Sequence, residues 1–154
     1  MSLHKTIKQQ YQAIVGRAAL QLADLQGPNE GWVVTVRKAL GMSGAQLARR
    51  LGVSRAAVSQ TEKNELSGSV SLKHMQSMAE ALGCRFVYAI VPDGRIEDVI
   101  QDPATYKATN IVRRVNGHMA LEQKFPSSEK TREEIASLRD ELIRDMPSDF
   151  WEER

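Results

Sequence analysis

The apolar positions nearest the start, Leu3, Ile7, Tyr11, Ile14, Ala18, Leu22 and Leu25, recur at spacings of three and four. That period places them on one stripe of an α-helix, which Gln26-Gly27-Pro28-Asn29 then breaks. A second helix is expected from near Gly31, burying Trp32, Val33, Val36 and Leu40 and stopping at Gly41. Ser43-Gly44-Ala45-Gln46 reads as a capping box, in which the Ser43 hydroxyl accepts from the Gln46 amide and the Gln46 side chain accepts from the Ser43 amide. The helix it opens sets Leu47, Ala48 and Leu51 on one face and ends at Gly52, suited to a left-handed terminator. Ser54 is the next N-cap, and its helix turns Ala57 and Val58 inward before ending near Lys63-Asn64. Ser67-Gly68-Ser69 is a loop. Ser71 then caps a helix carrying Leu72, Met75, Met78, Ala79 and Leu82, closed by Gly83.

Beyond Gly83 the period changes. Cys84 to Val91 is rich in β-branched and aromatic residues and is stopped by Pro92-Asp93-Gly94, which predicts one β-strand. Ile96 to Ile100 predicts a short helix, and Pro103 sits at the first turn of a longer one with Tyr106, Ile111, Val112, Val115, Met119 and Leu121. After a break at Lys124-Phe125-Pro126-Ser127, a last helix from Ser128 to Asp145 aligns Ile135, Leu138, Leu142 and Ile143, and Met146-Pro147 ends it. A single strand leaves two ladders of backbone groups unpaired, at a cost. The economical partner is the same strand of a second copy, giving a two-fold homodimer. Phe86, Tyr88 and Ile90 then share one face and Val87, Ala89 and Val91 the other. An edge strand covered by its own helices is the alternative. The expected divisions are an N-terminal helix at 1–30, a helical domain at 31–83, a dimerising strand at 84–94 and a helical region at 95–154.

Composition adds limits. A chain of 154 residues with 42% hydrophobic and 5% aromatic residues supports a real, mostly aliphatic core. No apolar run approaches a membrane span, and Met1-Ser2-Leu3-His4-Lys5 leads into a polar helix, so neither membrane insertion nor export is expected. The single cysteine, Cys84, excludes an internal disulfide and suits a reducing cytoplasm. A net charge of +2 says little, but its distribution says more. Arg37, Lys38, Arg49, Arg50, Arg55 and Lys63 face one acid, Glu62, in the middle of the chain. From Glu129 onward acids dominate, which points to different surfaces for different partners. His4, His74 and His118 are scattered, and no His-x-x-x-His, Cys-x-x-Cys or phosphate-cradling glycine loop occurs. No catalysis, metal or cofactor is therefore expected; His74 reads as structural and Cys84 as buried.

From Gln46 to Glu62 each constrained position has a physical reason. Ala48 is small where two helices cross, Gly52 supplies the positive φ of a tight turn, Val53 and Val58 fill the wedge, and Ser54 caps the second helix. This pattern resembles the helix-turn-helix of Cro/C1-type (XRE) repressors over roughly Gly31 to Gly83. The resemblance implies a mainly α, lambda-repressor-like DNA-binding domain, here joined to the dimerising strand and to extra N- and C-terminal helices. It also implies that Arg55, Ala56 and Gln60 point into the major groove with Ser59 nearby, where Arg suits guanine, Gln adenine and Ala a thymine methyl. Ser43, Gln46, Arg49, Arg50, Lys63 and Asn64 become candidates for phosphate contacts. One position departs: the residue after the capping Ser43, commonly Gln in the family, is Gly44. The implied function is a sequence-specific transcriptional regulator, an autoregulating dimeric repressor near the nucleoid.

A wider resemblance is to the subfamily called mobile mystery protein A. It lies in Gly31-Trp32 with Val33 and Arg37, in Phe86 to Pro92, and in the Pro147 to Trp151 ending. It implies a Fic-domain partner and an antitoxin-like alternative role. The glutamate motif by which small antitoxins block Fic sites is not matched, since the position four before Glu30-Gly31 is Gln26. Phe150 and Trp151 either dock on their own domain or anchor a partner.

Overall fold

A computed structural model of the protein describes residues 3–121 and 128–152, without the side chains of residues 119–121. The described residues form α1 (Leu3–Leu22), α2 (Trp32–Ala39), α3 (Gly44–Leu51), α4 (Arg55–Ser67), α5 (Leu72–Ala81), α6 (Ile96–Leu121) and α7 (Ser128–Asp145). They divide into two compact units, one of Leu22–Ala89 and one of Met1–Gln21 with Ile90–Arg154.

In the first unit local chemistry fixes the helix ends. Ser43 accepts from the Gln46 amide at 3.1 Å while the Gln46 side chain accepts from the Ser43 amide at 2.8 Å, so the capping box is complete. Gly52 closes α3 at φ 69°, and the Val53 amide reaches back to the Ala48 carbonyl at 3.0 Å. Ser54 and Ser71 cap α4 and α5 through the amides of Ala57 and His74. α4 runs three residues past Asn64 because its terminator is Gly68, at φ 80°. α3 packs on α4 and α5, and α2 on α4. Their shared core holds Val33, Leu47, Ala48, Val58, Met75, Met78 and Leu82, with Val36, Leu51 and Phe86 half-buried against it. Each large side chain here contributes about 1.5–3 kcal/mol by leaving water.

Several expected inward positions face out instead. Trp32, Leu40, Val53 and Ala57 are exposed, so Val58 alone fills the wedge that Val53 was expected to share. Val53 serves the turn through its backbone instead. Cys84 is exposed rather than buried.

No strand occurs among the described residues, and this corrects the reading of Phe86, Val87, Tyr88, Ala89, Ile90 and Val91. A strand exists only against a partner, and among the described residues no backbone hydrogen bond involves residues 85–94. The segment keeps one trait of its composition: Phe86 and Tyr88 stack with ring centroids 5.8 Å apart, as side chains two apart do on an extended backbone. Val87, Tyr88, Ile90 and Val91 are exposed, Ile90 at 92%.

In the second unit α6 and α7 pack together. The two helices expected around Pro103 are one continuous helix of 26 residues. Proline removes the donor that would reach the Val99 carbonyl, and Val99 is exposed, so water can satisfy that oxygen. The buried face of α6 is Ala104, Ala108 and Val112, whereas Tyr106, Ile111 and Val115 face outward. Alanines spaced by four let a neighbouring backbone approach closely, and of the expected apolar positions with described side chains only Val112 lies on this buried face. The expected roles of Met119 and Leu121, and the break at residues 124–127, lie outside the described residues. α7 buries no residue fully but ends as expected, at Met146, which adopts φ 42° before Pro147. Phe150 is 1% exposed in this unit, and Lys107 donates to the Asp149 carbonyl, tying the tail to α6. α1 also buries no residue: Leu3, Ile7, Tyr11 and Ile14 of its stripe are exposed.

Candidate nucleic-acid interface

α4 has two unlike sides. Val58 and Thr61 are buried toward the core, whereas Arg55, Ala56, Ser59, Gln60 and Lys63 are exposed. At one hundred degrees per residue these exposed positions span an arc of roughly 140°. The side chains expected to read bases thus share one open face.

The inner side is held at three points. Thr61 donates its hydroxyl to the Ala57 carbonyl at 3.1 Å, so its second partner, His74 Nε2 at 3.0 Å, is the donor. That bond joins α4 to α5 and gives His74 a structural place. Arg37 on α2 donates from Nε to Glu62 Oε1 at 2.8 Å and from Nη1 to the Met42 carbonyl at 3.1 Å. The pair is mostly withdrawn from solvent, so its hydrogen bonds matter more than those of a surface ion pair. Glu65 makes the third attachment. Its carboxylate accepts from the Trp32 amide at 2.5 Å and the Val33 amide at 3.0 Å, capping α2 where Gly31 has no side chain to do so. Gly31 adopts φ +90°, and a Cβ there would lie 3.1 Å from the Glu65 carboxylate.

These attachments redraw the basic surface read from the sequence. Arg37 is engaged with Glu62, and Lys38 pairs with Glu30 at 3.0 Å. Arg50, expected near phosphate, donates from Nε to the Ala81 carbonyl at 2.7 Å and so holds the end of α5. Arg49, Arg55 and Lys63 are exposed, and no ion pair among the described residues engages them. Ser43 and Gln46 are exposed at the start of α3, with their side chains bonded to each other's backbone. Asn64 is half-buried and accepts from Gln60 Nε2 at 2.9 Å.

Apart from the Ser43–Gln46 capping box, these contacts were not anticipated from sequence. Glu65 and Glu62 act on α2 across more than twenty residues, and no local spacing announces that. The Gln60–Asn64 bond was legible, since residues four apart meet on a helix. In the tail, the expected pair divides: Phe150 is buried, while Trp151 is 59% exposed and meets the Phe150 ring edge-on at 4.9 Å.

No helix among the described residues is long and apolar enough to cross a membrane. No curated protein and no solved structure matches the chain. Residues 35–88, from within α2 to just past α5, match the family model described as Helix-turn-helix. The matched segment covers about a third of the chain and contains the two helices and turn, α3 to α4, that carry the helix-turn-helix resemblance.

Proposed function

We propose that the protein is a sequence-specific DNA-binding regulator that reads the major groove with α4. The observation that carries this reading is the polarity of α4: Arg55, Ala56, Ser59 and Gln60 open to solvent, with the opposite side locked to the core. Arg55 supplies the paired donors that fit guanine and Gln60 the donor and acceptor that fit adenine. Arg49 and Lys63 flank this face and supply phosphate attraction. Arg50, Ser43 and Gln46 contribute to the same side mainly by fixing α3 and α5.

The regulator acts as a homodimeric repressor of its own operon in this reading. The segment from Phe86 to Val91 supports a second copy, because its apolar side chains are largely exposed and its backbone groups are unpaired among the described residues. Packing two such segments against each other covers these side chains, and a two-fold axis then relates the two α4 helices. Footprinting on the DNA upstream of the protein's own coding sequence tests this. Protection of two half-sites about one helical turn apart is expected, with a dimer mass in sedimentation at micromolar concentration. A single protected half-site with a monomer mass overturns the dimeric repressor.

A second reading is a partner-binding, antitoxin-like protein of a Fic-domain enzyme. The exposed Trp151 favours it, since exposed Trp is enriched where proteins meet. Co-expression with the Fic-domain protein and pull-down, parent against Trp151→Ala, distinguishes the two. Retention that is lost in the variant supports a partner role.

A further inference from the structure

Gln60 and Asn64 stand one turn apart on α4, and Gln60 Nε2 donates to Asn64 Oδ1 at 2.9 Å. The two residues are held differently. Asn64 is half-buried near the end of the helix, and its backbone carbonyl accepts from the Ser69 amide at 2.9 Å and from the capping amide of Gly68. Gln60 is exposed, and a free Gln has three side-chain torsions to order before it can meet a base edge. We propose that Asn64 is a positioning residue that sets base preference through Gln60, in place of the phosphate contact expected for it.

The chemistry is compatible with base reading. A primary amide carries two N–H groups and a carbonyl. Giving one N–H to Asn64 leaves the other, with Oε1, for the paired acceptor and donor of adenine. The bond also fixes which way the carboxamide faces. A Gln free to flip presents donor and acceptor in either order, and discrimination falls with that freedom. Asn64 thus orders beforehand a side chain that otherwise is ordered only on binding.

This inference rests on the DNA-reading role of Gln60 proposed above, and the test separates the two. The full-length parent, Gln60→Ala, Asn64→Ala and Asn64→Asp proteins are each used to select from a pool of randomised duplex DNA at two salt concentrations. The parent is expected to select a motif, and Gln60→Ala to flatten the preference at one base pair. Asn64→Ala should weaken preference at that same pair by about two-fold, the worth of an i,i+4 amide pair, to about ten-fold, the worth of ordering a whole Gln side chain. Its salt dependence should match the parent's. Asn64→Asp keeps the acceptor, so it should keep that preference while its added charge lowers affinity for every sequence. If Asn64→Ala weakens all sequences equally and keeps the parent's base preference, Asn64 is a neutral phosphate contact and the inference is overturned. Unchanged selection by Asn64→Ala overturns it too. A parent that selects no motif, or a Gln60→Ala protein with the parent's motif, removes the base-reading role itself and this inference with it.

Discussion

Replacing Glu65 with alanine removes the acceptor of the first two amides of α2. α2 has only eight residues, too few to persist without capping and tertiary support. Loss of an N-cap acceptor costs about 0.5–2 kcal/mol, and a hydrogen bond to a charged group contributes about 1.5–3 kcal/mol. The Trp32 bond is exposed and the Val33 bond only partly buried, so the lower part of those ranges applies, about 1–2 kcal/mol in total. Glu65→Gln keeps one acceptor oxygen and should lose about half as much. Trp32 begins α2, so its fluorescence, in a Trp151→Phe background, reports this end of the unit during urea unfolding. Amide hydrogen exchange gives the local readout: Trp32 and Val33 should be protected in the parent and exchange much faster in Glu65→Ala. If both amides exchange equally fast in the two proteins and the unfolding midpoint is unmoved, Glu65 does not hold α2.

Further substitutions probe the same unit, each by equilibrium unfolding unless stated. Gly31→Ala should destabilise by about 2–3 kcal/mol, since it adds strain at φ +90° to displacement of the Glu65 carboxylate; Gly52→Ala, at φ +69° with open space around it, should cost about 1 kcal/mol. Equal costs at the two glycines contradict the close approach described at Gly31. Leu47→Ala, at a fully buried position, should cost about 3–4 kcal/mol, whereas Val53→Ala at the exposed turn should stay within about 0.5 kcal/mol. Arg50→Ala should cost about 1 kcal/mol of stability through the lost bond to Ala81. Arg49→Ala should leave stability unchanged but lower the salt slope of DNA affinity by about one, measured by titration at several salt concentrations.

What was legible in the sequence is the chemistry that acts locally. Ser43 and Gln46, Gly52, Ser54 and Ser71 end or begin helices through groups within three or four residues, and all take those positions. Leu47, Ala48 and Val58 are buried for the same reason, since their facing follows from helix period once the ends are known. Long-range chemistry was not legible. Nothing near Glu65 or Glu62 in the chain names α2 as their partner. Segment 84–91 has strand composition, but composition cannot supply the second backbone on which a strand depends. In α6, size misled: Ala104 and Ala108 are inside because they are small, while Tyr106 and Ile111 face out. The candidate reading face was legible as a set of positions. Its electrostatics were not, because Arg37, Lys38 and Arg50 turn out to be engaged within the unit.

In the proposed function the open face of α4 reads DNA sequence. Gel-shift titration with DNA from upstream of the protein's own coding sequence, against an unrelated duplex, tests it most directly with the parent and the Arg55→Ala and Gln60→Ala proteins. The parent is expected to bind its upstream DNA preferentially, and each variant to lose about 1–3 kcal/mol of discrimination while keeping non-selective binding. Variants that bind as tightly and as selectively as the parent contradict the proposed function.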